Sequence, residues 1–255
     1  MLYAKHRFRN GDIIEVSYEL RDRERWVVWC HGAGSSKDNA RADAVNELAG
    51  SLGVSFVALD ARGGDGQSTK LEEPTFEHWI QDVRLVSRSG PRRYAPHVVL
   101  MGHSRGGLAG AWVAALNEKQ SSVKGVVMIS AAFGHAERRE QEIGVAGLEA
   151  VLRQGKFEYE KWGSLHMLTR KQFLAEQHYT DALLAGLWRT LPLLVIHGDQ
   201  DKTVPVEYAH AFIKEMGKHR RKADSIILPG VDHRFKGREV EVLAYARPFL
   251  ERVFK

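Results

Sequence analysis

The sequence has little cysteine and no long apolar run, and each scarcity excludes a class of protein. Its 255 residues include one cysteine, Cys30, which leaves no intramolecular disulfide and no multi-cysteine zinc site. No stretch approaches the roughly 18 consecutive apolar residues of a membrane-spanning helix. The first ten residues, MLYAKHRFRN, lack the apolar core of a signal peptide. We therefore expect a cytoplasmic protein without a membrane span.

The composition is otherwise that of a globular protein with a modest excess of positive charge. Lys+Arg number 37 and Asp+Glu number 32, which gives a net charge of +5, and 44% of the residues are hydrophobic, too many for a disordered chain. The basic runs, Arg92-Arg93 and KHRRK at 218–222, are not interleaved with aromatic residues that stack on bases. We interpret them as solvated loops and expect no nucleic-acid partner.

Short apolar runs alternate with amphipathic segments along most of the chain. The apolar runs are 26–30, 55–59, 97–101, 126–129, 193–196 and 225–228, and the predicted helices are 39–52, 74–89, 105–117, 206–217 and 238–254. Continuous apolar runs are typical of parallel strands that are buried on both faces. Before them, Asn10-Gly11 separates two alternating runs and predicts a hairpin. The pattern predicts an α/β fold with a mostly parallel, doubly wound sheet and an antiparallel N-terminal edge.

Residues 133–190 depart from this alternation, because they have helical character and no clear strand. We predict a single domain over residues 1–255, with residues 133–190 forming a helical cap inserted within it. A pair of ordinary crossover helices is the alternative. The segment also holds apolar residues that form either a wall for an acyl group or the core of the cap itself: Trp162, Leu165, Met167, Leu168, Phe173 and Trp188.

A serine motif, GHSRGG at 102–107, lies between a predicted strand and a predicted helix and fits Gly-x-Ser-x-Gly. On such a tight, strained turn a serine projects its hydroxyl from the top of the sheet, while the glycines avoid clashes. The helix that follows offers free N–H groups and the positive end of its dipole, which favour an oxyanion. The motif therefore predicts that Ser104 is a nucleophile.

A serine hydroxyl is a weak nucleophile at neutral pH, so it needs a general base and an acid that orients the base. His233 lies in the loop after the last predicted strand, at the sheet edge where active sites collect, and we predict that it is the base. We interpret the other strand-end histidines, His31, His103 and His197, as packing or hydrogen-bonding residues.

Two aspartates compete for the role of the acid in the loop HGDQDKTVP at 197–205. Asp201 lies further into this loop, just before the next predicted helix. The order Ser, Asp, His along the chain is the expected one for such a sheet. We predict that Asp201 is the acid and that Asp199 caps or braces the loop.

Two main-chain N–H groups are expected to hold the oxyanion. One belongs to Arg105, the residue after the nucleophile. The other belongs to the loop after the run 26–30, where Ala33 follows Gly32, a residue that lets the backbone turn its N–H toward the site. The Arg105 side chain either meets an anionic substrate group or is solvated at the start of the helix.

Five motifs resemble those of the α/β-hydrolase superfamily and occur in its order. They are HGAGSS at 31–36, DARGGDGQS at 60–68, GHSRGG at 102–107, HGDQDKTVP at 197–205 and GVDHRF at 230–235. The second motif has one residue more than the usual Asp-x-Arg-Gly-x-Gly-x-Ser, in the pocket wall near Asp65. Within the superfamily the chain is similar to monoacylglycerol lipases, cinnamoyl esterases and acyl-protein thioesterases. Residues 72–83 and 232–243 resemble its mitochondrial depalmitoylating branch.

The resemblance implies a serine hydrolase that cleaves a small-molecule carboxylic ester or thioester through an acyl-enzyme on Ser104. Asp201 and His233 would complete the triad, and Ala33 and Arg105 would supply the oxyanion donors. No metal or organic cofactor is implied. Two alternatives stay open: a peptidase, amidase or carbon–carbon bond hydrolase on the same triad, and a non-catalytic receptor or interaction protein with this fold.

Overall fold

The computed structural model describes residues 1–64, 66, 68–89, 97–116, 122–161, 164–188 and 190–255. Its strands are β1 (Leu2–Arg7), β2 (Ile13–Glu19), β3 (Arg25–Cys30), β4 (Ser55–Leu59), β5 (His97–His103), β6 (Val123–Ile129), β7 (Lys156–Lys161), β8 (Ser164–Thr169), β9 (Leu193–Gly198) and β10 (Asp224–Leu228). Its helices are α1 (Ala40–Ser51), α2 (Phe76–Ser89), α3 (Arg105–Leu116), α4 (His135–Gln154), α5 (Arg170–Gln177), α6 (Asp181–Leu187), α7 (Val206–Lys218), α8 (Glu239–Ala244) and α9 (Arg247–Val253). Several residues that the predictions name or span lie outside these ranges: Asp65, Gln67, Arg92, Arg93, Asn117, Trp162, Gly163 and Arg189.

Eight strands form one sheet in the order β1-β2-β4-β3-β5-β6-β9-β10. The strands from β4 to β10 along this order pair in parallel, whereas β2 pairs antiparallel with both β1 and β4. The turn between β1 and β2 contains Gly11, whose φ of 95° glycine adopts without strain. The predicted α/β class and its antiparallel N-terminal edge are therefore confirmed.

Alternate side chains of the central strands enter two separate cores. In β3, Val28 and Cys30 face the core that contains α2, α3 and α7, whereas Val27 and Trp29 face the core that contains α1, α8 and α9. Cys30 is 2% exposed, as expected of a buried strand residue. Because helices cover both faces of the sheet, the strands carry continuous apolar runs instead of polar alternation.

Residues 133–190 leave the sheet after β6 and return at β9, its neighbour in the sheet. They contain α4, α5 and α6, but they also contain β7 and β8, which form a separate antiparallel hairpin. The prediction that this segment has no strand is wrong. Phe157 and Tyr159 of β7 and Leu168 of β8 pack in a small core with residues of α4 and α5, so a short amphipathic hairpin is stabilised there.

The predicted helix over 238–254 is two helices, α8 and α9. Pro248 lies in the first turn of α9, where its missing N–H costs nothing, whereas the same residue would break the interior of a longer helix. Among the helices described here, none is long and apolar enough to cross a membrane.

Candidate active site

Ser104 lies on the turn between β5 and α3 with a φ of 52°. This left-handed conformation is rare outside glycine and costs about 1–3 kcal/mol. The turn leaves no room for neighbouring side chains. An ideal Cβ on Gly102 would lie 2.5 Å from the carbonyl carbon of Gly106, and one on Gly106 would lie 2.3 Å from the main-chain oxygen of Cys30. The two glycines therefore permit the strained turn that carries the serine.

Ser104, Asp201 and His233 come together beyond the carboxyl ends of β5, β9 and β10. Nε2 of His233 lies 3.2 Å from Oγ of Ser104, and Nδ1 of His233 lies 2.7 Å from Oδ2 of Asp201. Opposite an ionised carboxylate, Nδ1 carries the proton and leaves Nε2 as the acceptor that faces the hydroxyl. This arrangement can take the proton from Ser104.

The carboxylate of Asp201 is buried and accepts hydrogen bonds on both oxygens. Oδ1 accepts from the N–H groups of Thr203 at 2.9 Å and Val204 at 2.7 Å, and Oδ2 lies 3.2 Å from Nε2 of His197. Burial by itself raises the pKa of Asp201, but the hydrogen bonds from His197 and His233 outweigh it and hold the pKa below its ordinary value. Asp201 is therefore ionised at neutral pH.

Asp199 has a different role from Asp201. Its Oδ1 accepts the N–H of Gly230 at 2.7 Å, which ties the loop after β9 to the loop that carries His233. No hydrogen bond in the described structure joins Asp199 to the His233 side chain. The structure thus places Asp201 in contact with His233, whereas Asp199 connects two loops.

The three other strand-end histidines hold loops around the site. Nε2 of His103 donates to the main-chain oxygen of His233 at 2.8 Å, and burial lowers the pKa of His103 well below its ordinary value. Nε2 of His197 donates to the main-chain oxygen of Val204 at 2.8 Å, and Nε2 of His31 accepts the N–H of a neighbouring loop at 3.1 Å. Each makes hydrogen bonds, as the sequence predicts.

The loop that carries Ala33 lies against the serine turn. An ideal Cβ on Gly32 would lie 3.1 Å from Cβ of Ser104 and 2.8 Å from Nδ1 of His103. Arg105 is the first residue of α3, where a main-chain N–H has no partner within the helix. Ala33 and Arg105 both line the cavity that contains Ser104, so the two predicted oxyanion donors belong to residues beside the nucleophile.

A cavity of about 1180 Å³ opens over Ser104. Part of its wall is apolar and consists of Pro74, Phe76, Leu108, Met167, Leu168 and Pro205. Of the apolar residues predicted in the 133–190 segment, Met167 and Leu168 line this cavity. Phe173 packs in the small core of the segment, Trp188 in the core of the sheet, and Leu165 is 72% exposed. Some of these residues therefore line the cavity and others pack in a core, and the binding of an acyl group by the first set stays a prediction.

Charged residues from the 133–190 segment form another part of the wall. Glu176 is 4% exposed and pairs with Nη2 of Arg105 at 3.1 Å and with Nε of Arg139 at 3.2 Å. Burial raises the pKa of Glu176, but the two arginines outweigh it and lower the pKa below its ordinary value. The side chain of Arg105 thus forms an ion pair with Glu176. The sequence analysis considered only an anionic substrate group or solvent as its surroundings. No pattern in the sequence points to Glu176 or Arg139, because neither residue lies in a motif.

Within the described ranges, no group of three or more His, Cys, Asp or Glu residues could hold a metal ion.

Two curated relatives are similar to most of the chain. Mouse palmitoyl-protein thioesterase ABHD10, mitochondrial, is 23% identical over 232 residues, which cover 87% of this chain and 71% of the mouse protein. The bovine protein of the same name is 23% identical over 248 residues, which cover 92% of this chain and 76% of the bovine protein.

Solved structures are similar over the whole chain. Est1E from Butyrivibrio proteoclasticus with bound ferulic acid has a TM-score of 0.83 at 21% identity and covers 100% of this chain and 99% of its own. Mouse alpha/beta hydrolase domain-containing protein 10 has a TM-score of 0.83 at 19% identity and covers 100% of both chains. At these identities the likeness shows the fold, which is that of the α/β hydrolases.

The family model described as serine aminopeptidase, S33, matches residues 21–189, which is more than half of the chain. The match includes Ala33, the serine motif and almost all of the 133–190 segment. Together with the α/β-hydrolase fold, it confirms the predicted membership of the superfamily. The chain belongs to this Hydrolase_4 family of serine hydrolases.

Proposed function

We propose that the protein cleaves a carboxylic ester or thioester through an acyl-enzyme on Ser104. The observation that carries this proposal is the hydrogen-bonded series from Asp201 through His233 to Ser104 beside a large cavity. A concave, partly apolar site next to an activated serine is suited to bind an acyl group. The thioesterase and esterase names of the similar proteins support esters and thioesters as the class of bond.

In the acylation half-reaction, Oγ of Ser104 attacks the carbonyl carbon while its proton passes to Nε2 of His233. Asp201 stabilises the imidazolium through Nδ1. The N–H groups of Ala33 and Arg105 hold the oxyanion, and removal of one such donor typically costs about 10²- to 10³-fold in rate. The tetrahedral intermediate then collapses, and the leaving alcohol or thiol takes the proton from His233.

In the deacylation half-reaction, a water molecule replaces the leaving group. His233 takes a proton from this water, and the resulting hydroxide attacks the acyl carbon of the ester on Ser104. Collapse of the second intermediate releases the carboxylic acid and returns the proton to Oγ of Ser104. Every proton transfer uses the same imidazole, so no other acid or base is required.

A second candidate function is the hydrolysis of a peptide or amide, because the matching family model carries the description serine aminopeptidase. The same triad performs this reaction when His233 protonates the leaving amine. Aminoacyl p-nitroanilides distinguish this candidate from an esterase by their rates relative to p-nitrophenyl esters.

We also propose that the protein is located in the cytoplasm. The curated relatives are named mitochondrial, so cell fractionation of the native protein must decide between the two compartments.

The decisive experiment combines a fluorophosphonate probe with turnover of p-nitrophenyl butyrate and a palmitoyl thioester. Wild-type protein should be labelled and should hydrolyse an ester or thioester, whereas Ser104→Ala should lose the label and at least about 10³-fold in kcat/KM. Ser225→Ala, which changes an exposed serine on β10, is the matched control and should behave as wild type. An unlabelled wild type that is inactive on all substrates would support the non-catalytic alternative instead.

A further inference from the structure

Arg138, in the first turn of α4, lines the cavity over Ser104 and has no ion-pair partner among the residues that the structure describes. Its Nε donates to the main-chain oxygen of Phe133 and its Nη1 to that of Thr203, both at 2.9 Å. Nη2 makes no hydrogen bond to any residue that the structure describes, and no carboxylate among them lies within 4 Å. Arg105 and Arg139 differ, since they share the carboxylate of Glu176.

The two carbonyl partners fix Arg138 relative to the reacting groups. Phe133 follows Ala132, whose N–H donates to the main-chain oxygen of Ser104 at 3.1 Å. Thr203 donates its own N–H to Oδ1 of Asp201 at 2.9 Å. The guanidinium is therefore hydrogen-bonded to the loop that carries Asp201 and to the loop after β6, which is itself hydrogen-bonded to Ser104. Its position in the cavity wall follows that of these two loops.

No carboxylate of the described residues pairs directly with Arg138, although the ionised Asp201 acts on its charge from a distance and Cζ lies 5.9 Å from the centre of the Tyr208 ring. Asp181 is the other carboxyl that acts on Arg138, and burial raises its pKa to about 7 against the hydrogen bond from the N–H of Gly134. Much of Asp181 is thus protonated near neutral pH, whereas arginine keeps its charge in proteins. A partly buried charge without a directly paired counter-ion is costly, which favours an anion as its partner.

A second polar group beside the cavity also lacks a hydrogen-bond partner within the described part of the chain. Nε2 of His135 is buried and makes no hydrogen bond to the described residues, and His135 lines the same cavity as Arg138. Burial lowers the pKa of His135 to about 4, so the ring is neutral at physiological pH. Considering the described ranges alone, the wall therefore combines a cation that has no ion-pair partner with a neutral imidazole that has an unsatisfied nitrogen.

We propose that Arg138 recognises a carboxylate of the substrate, so that the preferred ester or thioester carries a carboxylate in addition to the bond that is cleaved. This inference rests on the proposed function. A guanidinium presents planar N–H donors that match the two oxygens of a carboxylate. One arginine balances the single charge of a carboxylate, whereas the doubly charged phosphate group would leave a net negative charge.

Two pairs of esters test this inference, and each pair differs only in charge. The first pair places the group on the alcohol: 4-(butyryloxy)benzoate against 4-(butyryloxy)benzamide. The second places it on the acyl chain: the mono-p-nitrophenyl ester of adipic acid against that of adipamic acid. Wild-type protein should prefer the carboxylate member of at least one pair by about tenfold to a hundredfold in kcat/KM, as expected of a hydrogen bond between charged groups.

Variants assign the preference to the guanidinium. Arg138→Gln should bring the carboxylate-to-amide ratio of kcat/KM to within about threefold of unity, and Arg138→Lys should retain part of the preference because it keeps the charge. Lys202→Gln removes an equal charge from an exposed residue of the same cavity and should change the ratio by less than about threefold. A loss of packing would lower both rates of a pair and leave their ratio unchanged.

The inference is wrong if neither pair shows a preference, if Arg138→Gln keeps it, or if Lys202→Gln abolishes it equally. Should Arg138→Gln not fold, inhibition of the wild type decides, and 4-hydroxybenzoate should inhibit about tenfold more strongly than 4-hydroxybenzamide; equal inhibition contradicts the inference. Hydrolysis of the neutral esters without a preference refutes only the role of Arg138. Absence of any hydrolysis refutes the proposed function itself.

Discussion

Replacement of Asp201 by asparagine tests the proposed triad most directly, because the side chain keeps its shape. Oδ1 of the asparagine still accepts the N–H groups of Thr203 and Val204, which fixes the orientation of the amide. The amide nitrogen must then take the place of Oδ2, 2.7 Å from Nδ1 of His233 and 3.2 Å from Nε2 of His197.

This geometry reverses the tautomer of the base. His197 already donates its Nε2–H to a main-chain oxygen, so Nε2 cannot accept a hydrogen bond from the asparagine amide. The amide therefore donates to Nδ1 of His233. The proton of the imidazole then lies on Nε2, which no longer accepts from Ser104. We expect Asp201→Asn to lower kcat by about 10⁴-fold, equivalent to about 5.5 kcal/mol, by analogy with the same change in serine proteases.

The assay is the steady-state hydrolysis of p-nitrophenyl butyrate, with circular dichroism to confirm folding. Asp199→Asn is the matched control, because Asp199 accepts a hydrogen bond from Gly230 and none from His233, and it should lose less than about tenfold. An Asp201→Asn variant within tenfold of wild type, or an Asp199→Asn variant that is damaged as severely, would refute the assignment of the acid.

Two further changes test the packing of the site and a buried carboxyl near it. Gly32→Ala should lower stability by about 1–3 kcal/mol and kcat/KM by at least about tenfold, because its Cβ would lie 2.8 Å from the fixed ring of His103; unchanged kinetics and urea unfolding would contradict this. Asp181→Asn should stabilise the protein at pH 8 by about 1–3 kcal/mol and by less at pH 5. The folded pKa of about 7 lies above the ordinary 3.8, so ionisation between these values destabilises the folded state as pH rises. Thermal unfolding at both pH values checks this, with exposed Asp43→Asn as control; an equal effect at both would contradict it.

Local sequence patterns predicted the class of fold and the residues of the proposed triad. The apolar runs before Ser104, Asp201 and His233 identify buried parallel strands, and the carboxyl ends of such strands meet at one edge of the sheet. The glycines at 102 and 106 mark a turn that only a residue without a side chain permits. Each of these patterns lies within a few residues of the site residue that it identifies, so it can be recognised without the tertiary structure. The catalytic roles stay predictions until they are measured.

Contacts between distant segments carry no such local signal. The sequence does not predict the hairpin of β7 and β8, because its stability depends on a small core supplied by α4 and α5. Glu176 and Arg105 meet across 71 positions.

The sequence by itself determined the α/β class, the serine turn and a short set of candidate acids and bases, because each follows from backbone geometry and strand order. Only the tertiary structure decided that Asp201 faces His233 while Asp199 braces a loop. It also decided that Arg105 pairs with Glu176, whereas no described carboxylate pairs with Arg138. Whether a charge is neutralised depends on which side chains converge within a few ångströms, and that convergence is a property of the packed chain.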